Sequence, residues 1–415
     1  MATEKVPGKA PGSTESVTVR ASVLTGPGEL EVQERQLPPL GPHDVRIAVK
    51  STGICGSDLH YYNHYRNGDI LVREPLTLGH ESVGVVTALG PQVDRERPDL
   101  KLGDVVVMEV GEPCGQCDLC SEGRYNICRE MKFRSSAKAF PHAQGTLQEE
   151  IVIHQKYCEK VKPELADAAA LSEPLAVALH AADRVGLPTD SKKRLTILVL
   201  GSGVVGLMCA AKCRDLYDAL VIIADINEDR ARWAVDHGFA DHHVAVPMRG
   251  REVETVEAKL NFAKDVAEAI KGTRWPAGVR TPAAWQGTRP EAVGEVDATF
   301  ECTGAESCVQ SAIYATKPGG KVVLIGMGTP IQTLPISAAA LREVDLVGSF
   351  RYANNYKNAA VEVGGLSSRP GVSIDFRPLI THRFKGIESI TDAFAMAARV
   401  KDDDGKMVLK VVIDF

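Results

Sequence analysis

The chain has 415 residues, more than the roughly 250–300 residues at which one hydrophobic core stops growing, so its length predicts two domains. Hydrophobic residues make up 44% of the sequence, as in an ordinary globular protein. The formal net charge of −6 offers no positive surface for nucleic acid or an anionic membrane, and both are excluded as partners.

The first 16 residues are polar, are rich in Gly, Pro and Ser, and lack the apolar stretch of a secretory signal. We expect a disordered leader over 1–16. No apolar run approaches the about 18 residues of a transmembrane helix. A cytoplasmic protein is therefore expected, whose ten cysteines are reduced thiols or metal ligands rather than disulfides.

The first part of the chain has the pattern of short β-strands. Residues 17–50 form three such runs, separated by Pro and Gly turns, and similar runs follow at 82–89, 104–110 and 145–161. This pattern predicts a mostly antiparallel β domain.

One stretch of this domain, residues 54–81, carries Cys55, His60, His80 and Glu81. A thiolate, an imidazole and a carboxylate close together suit Zn²⁺, and three protein ligands with one open position are typical of a catalytic zinc. Each residue taken alone could also have an ordinary structural role and bind no metal, because a lone Cys is commonly buried and a lone His commonly lies at the surface.

Four cysteines, Cys114, Cys117, Cys120 and Cys128, are separated by two, two and seven residues. Thiolates at this spacing can converge on one tetrahedral ion about 2.3 Å away, which predicts a structural zinc. An iron–sulfur cluster is the alternative that spacing alone leaves open.

Residues 167–185 are rich in Ala and predict a helix that carries Glu173 next to Pro174. A carboxylate beside Pro in an apolar segment indicates a functional group. The alternative is a solvated Glu at a helix start, with Pro in the first turn. We interpret His180 as a packed or surface residue and not as a metal ligand.

A second sequence pattern, in which strands alternate with helices, begins near residue 192. The buried strand 195–200 runs into Gly201, Gly203 and Gly206, a helix follows, and the next strand ends at Asp225. This order is the fingerprint of a dinucleotide-binding unit, in which the glycines allow a tight turn, close approach of the pyrophosphate and helix–strand packing. Asp225 would accept hydrogen bonds from the ribose hydroxyls and repel a 2′-phosphate, which predicts NAD rather than NADP.

The rest of the chain alternates strands with helices, which predicts a doubly wound parallel sheet. Residues 247–292 are irregular apart from a predicted helix at 253–271, and we interpret them as an insertion. A turn is predicted at Pro318, Gly319 and Gly320. The predicted elements that follow the insertion are strands at 296–304, 321–328, 345–352 and 407–415 and a helix at 306–316.

Together these motifs resemble the zinc-dependent medium-chain dehydrogenases, over about residues 20–415. Within them the chain is similar to the polyol branch, which includes sorbitol, xylitol and L-arabinitol dehydrogenases and L-idonate 5-dehydrogenase. The segment 134–141 differs from that of many sorbitol and xylitol dehydrogenases, which argues against sorbitol as the substrate.

The resemblance implies an α/β fold, with a GroES-like catalytic domain joined to a Rossmann domain. The expected division is a leader (1–16), the catalytic domain (17–185) with a zinc lobe (111–130), the NAD-binding domain (186–342) and a C-terminal segment returning to the catalytic domain (343–415).

The resemblance also implies roles for single residues. The catalytic zinc ligands are Cys55, His80 and Glu81, with Glu173 beside the ion and able to exchange as a ligand. Ser57 and His60 lie near the proton relay; a structural hydroxyl and a surface histidine are the alternatives. Substrate contacts are Tyr61, Glu173, Arg351 and Tyr352. The NAD contacts, besides the glycines, are Val205, Asp225, Arg230, Ile325, Gly326, Met327, Ser349, Phe350 and Arg351.

The implied reaction is oxidation of a secondary alcohol of a polyol or sugar acid by NAD, with one catalytic and one structural zinc per chain. A dimer or tetramer is expected. Three alternatives stay open: a zinc enzyme for a secondary-metabolite alcohol, a zinc-free reductase of the same superfamily, and a non-catalytic NAD-sensing protein.

Overall fold

A computed structural model describes residues 16–189, 194–248, 255–276, 292–364 and 374–415. Residues 1–15 of the predicted leader, and residues 249–254 and 277–291 of the predicted insertion, lie outside the described residues. The strands are β1 (Thr18–Gly26), β2 (Glu29–Gln36), β3 (Asp44–Gly53), β4 (Arg66–Asn67), β5 (Ile70–Leu71), β6 (Leu76–Thr77), β7 (Glu81–Leu89), β8 (Val105–Met108), β9 (Gly111–Glu112), β10 (Lys132–Phe133), β11 (Glu150–His154), β12 (Cys158–Lys160), β13 (Thr196–Leu200), β14 (Leu220–Asp225), β15 (His242–Ala245), β16 (Val296–Glu301), β17 (Thr316–Leu324), β18 (Asp345–Gly348), β19 (Ile380–Lys385) and β20 (Lys410–Asp414).

The α-helices lie mostly between the later strands. They are α1 (Gly56–His64), α2 (Val93–Glu96), α3 (Asp118–Ser121), α4 (Ser172–Val185), α5 (Val204–Tyr217), α6 (Glu228–Asp236), α7 (Val256–Gly272), α8 (Glu306–Ala315), α9 (Ile336–Ala340), α10 (Tyr356–Glu362) and α11 (Ile390–Ala397). Within the described ranges, no helix is both long and apolar enough to cross a bilayer.

The first large sheet is centred on β3. Its strand order is β12-β8-β7-β3-β20-β19, and β11 also pairs with β3. Alternate residues of β3, among them Val45, Ile47 and Val49, are buried, as expected for a strand with one face on a core. All its pairings are antiparallel except β19 with β20. The predicted, mostly antiparallel β domain is confirmed.

The second large sheet is entirely parallel, in the order β15-β14-β13-β16-β17-β18. Every residue of β13 is buried, because helices cover both faces of the sheet. The strand order reverses between β13 and β16, and doubly wound sheets bind ligands at the carboxyl ends of the strands flanking such a point. The predicted doubly wound fold is confirmed.

Two helices differ from the expectation. The helix predicted over 167–185 begins only at Ser172, because the preceding residues form short 3₁₀ turns at Pro163–Leu165 and Ala169–Leu171. Helix α1 was not predicted. It buries only Asp58 and Tyr61 and so lacks the apolar stripe by which a helix is recognised.

The last strand, β20, pairs with β3, so the C-terminal segment contributes to the first sheet. Strand β17 is longer than expected, since it includes the predicted turn at Pro318 to Gly320. Its pairing with β16 shifts register there, and Gly319 has a positive φ of 69°. The division of the chain at residues 185 and 342 stays a prediction.

Candidate active site

The residues predicted as catalytic metal ligands lie together. One ligand atom each of Cys55, His80 and Glu81 lies within 4.8 Å of the other two. Pairing of β3 with β7 sets Gly53 opposite Glu81, which brings Cys55, two residues beyond β3, next to the start of β7. The chemistry and spacing of these donors fit a zinc ion with an open fourth position.

The orientation of His80 suits a metal ligand. Its Nδ1 atom lies 2.8 Å from Ser135 Oγ and 3.4 Å from Asp58 Oδ1. A carboxylate only accepts hydrogen bonds, so Nδ1 carries the proton and Nε2 keeps the lone pair that binds metal. Asp58 is itself fixed, because it accepts hydrogen bonds from the backbone N–H groups of Cys55 and Gly79, both at 3.1 Å.

Sequence reasoning missed Lys410. Its Nζ donates to both carboxylate oxygens of Glu81, at 2.8 and 2.6 Å, and to the carbonyl of Ile54 at 3.0 Å. The side chains of Lys410 and Glu81 are only 5% and 1% exposed. Burial is the largest single influence and lowers the pKa of Lys410, but Glu81 together with Cys55 and Glu173 outweighs it, so the pKa of the lysine is raised. The sequence signal that could have indicated this role is a lysine, Lys410, that begins the mainly apolar strand β20.

Glu173 lies in the first turn of α4 and is 5% exposed, so the solvated-glutamate interpretation is wrong. Burial raises the pKa of its carboxyl to about 7. Glu173 is not among the three residues whose ligand atoms lie within 4.8 Å of one another. Its place beside the metal stays a prediction.

The predicted substrate contacts face a set of aromatic rings. The Arg351 guanidinium lies 3.6 Å above the ring of Phe133, and burial lowers the pKa of Arg351 to about 10. Tyr61 is buried and accepts a hydrogen bond from the Ala137 N–H at 3.3 Å. Within the described chain, Arg351 Nη1 and the Tyr352 hydroxyl are buried with no hydrogen-bond partner. Such atoms favour a polar ligand, because unpaired burial is costly.

The two predicted relay residues both lie on α1. Ser57 is half-buried. His60 is exposed, and its ring centroid lies 6.1 Å from that of His64. Burial lowers the pKa of His60. The exposure of His60 agrees with either a relay at the protein surface or an ordinary surface histidine, and the relay role stays a prediction.

The four cysteines of the lobe converge as expected. Cys117 and Cys120 sulfurs are 3.5 Å apart, Cys117 and Cys128 3.9 Å, and Cys114 and Cys120 4.0 Å. A tetrahedral ion with Zn–S distances of about 2.3 Å requires sulfurs about 3.8 Å apart. Backbone N–H groups, first that of Gln116, lower the pKa of Cys114 to about 7, whereas burial and the neighbouring Cys117 thiol raise the pKa of Cys120 to about 12. The geometry fits one zinc ion.

The glycine turn has the geometry of a dinucleotide site. Gly201 has a φ of 98°, which only glycine adopts readily, and a Cβ on Gly206 would lie 1.9 Å from the Gly201 carbonyl oxygen. Gly203 precedes α5, and a Cβ there would meet nothing within 4 Å. The space beside Gly203 is thus free for a ligand, whereas the space beside Gly206 is filled by the backbone of Gly201.

Asp225 ends β14 and is held by three hydrogen bonds, from Ser202 N, Ser202 Oγ and Asn227 N, at 2.7 to 2.8 Å. Beside it is a cavity of about 260 Å³ whose walls are mainly apolar, with Ala224, Ile226 and Phe262 among them. Asp225 itself lines this cavity.

The remaining predicted cofactor residues lie around the carboxyl ends of the parallel strands. Val205 is in α5. The N–H groups of Ile325 and Gly326, beyond β17, donate to the Glu301 carbonyl. Met327 and Phe350 are exposed, and Ser349 Oγ is buried without a partner in the described chain. Arg230 instead spans two parts of the molecule, because its Nη2 donates to the Val408 carbonyl at 2.7 Å.

This fold and these sites define the class: a zinc-dependent dehydrogenase with a nicotinamide cofactor. Residues 41–163 match the family "Alcohol dehydrogenase GroES-like domain", and residues 204–364 match "Zinc-binding dehydrogenase".

Proteins that match nearly the whole chain support the same class. Sorbitol dehydrogenase of Arabidopsis thaliana is 35% identical over 95% of this chain and 94% of its own. L-Idonate 5-dehydrogenase of Vitis vinifera is 32% identical over 91% of each. The crystal structure of L-idonate 5-dehydrogenase from Escherichia coli superposes with a TM-score of 0.74 at 25% identity, covering 97% of this chain and 99% of that one. The chain therefore belongs to the zinc-binding alcohol dehydrogenase family, and the resemblance predicted from the motifs is confirmed.

Proposed function

We propose that the protein oxidises a secondary alcohol of a polyol or sugar acid with NAD and zinc, giving a ketose or keto acid. The observation that carries the proposal is the set of Cys55, His80 and Glu81, within 4.8 Å of one another and accompanied by a buried Glu173. The similarity to sorbitol and L-idonate dehydrogenases supports the substrate class. The intact ligand set argues against a zinc-free reductase.

Two zinc sites are proposed per chain. Cys55, His80 and Glu81 would hold the catalytic ion, and the four lobe cysteines would hold the structural one. Bound at the first site, zinc lowers the pKa of a coordinated hydroxyl toward neutrality. Glu173, whose carboxyl has a pKa of about 7, is suited to take or return the released proton at neutral pH, and Ser57 and His60 are proposed as the path to solvent.

Side chains of the pocket would hold the rest of the substrate. Arg351 Nη1 and the hydroxyls of Tyr352 and Tyr61 are suited to bind a chain of hydroxyl groups or a carboxylate. The guanidinium has a planar fork of donors, which matches either group. Phe133, beneath it, keeps water from one face.

The cofactor would lie along the carboxyl ends of β13, β14 and β16. Its pyrophosphate would approach Gly203 and the N-terminus of α5, and its adenine would enter the cavity beside Asp225. The Asp225 carboxylate would accept from the ribose hydroxyls and repel a 2′-phosphate, so NAD is preferred. Val205, Arg230, Ile325 to Met327 and Ser349 to Arg351 are proposed to contact the cofactor.

A cytoplasmic dimer or tetramer is proposed as the working state, on the resemblance alone.

A substrate screen tests the proposal. NADH formation is measured with NAD and sorbitol, xylitol, L-arabinitol, galactitol or L-idonate. Reduction of NAD with at least one of these and identification of the matching ketose or keto acid support it. Protein that holds zinc but reduces NAD with none of them contradicts it. The ratio of activities with L-idonate and the neutral polyols assigns the substrate class.

A further inference from the structure

The cysteine lobe, residues 111–130, is hydrogen-bonded to the segment 349–354, which carries two of the proposed substrate contacts, Arg351 and Tyr352. Asn126 Nδ2 donates to the Phe350 carbonyl at 2.7 Å. The Asn354 N–H donates to the Tyr125 hydroxyl at 2.8 Å. Both lobe residues lie between the third and fourth cysteines, so the loop that completes the metal site also holds this distant segment.

The segment needs such support because its backbone is strained. Arg351 and Asn354 have φ values of 52° and 65°, in the left-handed region. That conformation is unfavourable for arginine, and less so for asparagine, whose short polar side chain tolerates it. A third contact with the lobe holds Asn354 in place, since its Nδ2 donates to the Gly123 carbonyl at 2.9 Å. Strained conformations persist where the surrounding structure fixes them.

Asn126 is the buried member of these contacts, with 7% of its surface exposed. A carbonyl only accepts, so the amide nitrogen must face Phe350. The same nitrogen lies 3.3 Å from His180 Nε2, on helix α4, which carries Glu173 in its first turn. Burial lowers the pKa of His180 and keeps its ring neutral, so Nε2 can accept the second amide proton.

We propose that Asn126 is a positioning residue for substrate binding. By fixing the Phe350 carbonyl and His180, it holds the Arg351 guanidinium over Phe133 and sets the distance of that guanidinium from Glu173. The proposal rests on the proposed role of Arg351 as a substrate contact. It assigns the lobe a function beyond its own stability, which is to shape the substrate pocket.

The Asn126→Asp variant tests the proposal. The aspartate has the same size, but its carboxylate cannot donate to Phe350, so the Phe350 carbonyl loses this partner. We expect KM for the polyol or sugar acid to rise about tenfold, the size expected from one lost buried hydrogen bond. KM for NAD should rise less, because most cofactor contacts lie elsewhere, and the zinc content should not change.

Arg129→Gln is the matched control. It removes a hydrogen bond of the same lobe, from Arg129 to Asp118 at 2.7 Å, and both of these side chains are exposed. Its KM values should stay within twofold of the parent. Asn126→Ala removes the donor without burying a charge and carries the same expectation as Asn126→Asp if the latter does not fold.

Hydrogen–deuterium exchange gives a readout independent of activity. Amides of 349–354 should exchange faster in the Asn126 variants than in the parent or Arg129→Gln, while exchange in β13 is unchanged. Parent-like substrate KM together with parent-like exchange in this segment overturns the proposal. If the parent oxidises no polyol or sugar acid, the proposed function fails, and exchange alone still decides whether Asn126 positions the segment.

Discussion

The ion pair of Lys410 and Glu81 places two full charges where almost no water reaches them. Taking a charge out of water is expensive, and only the partner charge and additional hydrogen bonds offset that cost. The sequence predicts Glu81 as a ligand, because it stands next to His80 and close to Cys55. It does not predict Lys410, because the pair joins residues 329 positions apart.

Removing Lys410 should therefore destabilise the metal-free protein. We expect Lys410→Met to lower the free energy of unfolding by about 3 kcal/mol, because it leaves the Glu81 carboxylate buried without a counter-charge. The double variant Glu81→Leu, Lys410→Met should recover most of that loss. Urea unfolding of chelator-treated proteins measures both. A single variant as stable as the parent would show that Glu81 does not need this partner.

The Asp225 carboxylate should decide the choice of cofactor. Replacement by Ser removes the charge that repels a 2′-phosphate, so we expect the ratio of kcat/KM for NAD to that for NADP to fall at least about tenfold, equivalent to about 1.4 kcal/mol. Glu228→Gln, which removes an exposed charge from the start of α6, is the control and should keep the ratio. An unchanged ratio in Asp225→Ser would show that Asp225 does not determine the preference for NAD over NADP.

Elements with a strong periodic pattern were predicted well, and those shaped by local polar contacts were not. Strands β13 and β14 and the glycine turn between β13 and α5 lie where the sequence places them. Helix α1 was missed because its cap is unusual: the side chain of Asp58 accepts from the N–H of Cys55, so a cysteine stands where Ser or Thr is expected. That cap also fixes Cys55, a proposed zinc ligand. The proposed metal site therefore places a cysteine at the position where Ser or Thr would have indicated the start of a helix.

Two glycines of the turn should respond differently to the same change. Gly206→Ala should fail to fold its nucleotide domain, because the added Cβ would lie 1.9 Å from the Gly201 carbonyl oxygen. Gly203→Ala should fold and melt like the parent, since nothing lies within 4 Å, yet raise KM for NAD at least about tenfold by occupying the proposed approach of the pyrophosphate. Thermal melting and NAD kinetics separate them. Normal NAD binding in Gly203→Ala would contradict the assignment.

At the scale of the whole molecule, the fold class could be predicted because each sheet has its own sequence pattern. The contacts that join distant parts could not, since they pair residues that no local pattern relates. Examples are Asn126 with Phe350, Arg230 with Val408, and Tyr125, which links the cysteine lobe to Glu109 beyond β8 at 2.8 Å. These contacts hold together segments that are distant in sequence, whereas the motifs supply the reactive groups predicted for the site.

Glu109 should make stability depend on pH. Burial raises the pKa of its carboxyl from 4.5 to about 7 in the folded state. The unfolded chain releases this proton at lower pH, so stability falls as pH rises from about 4.5 to about 7, by at most about 3 kcal/mol. Glu109→Gln should therefore raise the melting temperature at pH 8 and have little effect near pH 5. An equal effect at both values would contradict this.

The central claim is that Cys55, His80 and Glu81 hold a zinc ion that is required for oxidation of a polyol or sugar acid. The most direct measurement compares zinc per chain and the rate of NADH formation in the parent, in Cys55→Ser and in Cys158→Ser, a buried thiol of β12. We predict that Cys55→Ser loses one zinc ion and at least about a hundredfold in rate, as for the loss of a catalytic metal, whereas Cys158→Ser matches the parent. A Cys55→Ser protein with full zinc and full activity would contradict the account.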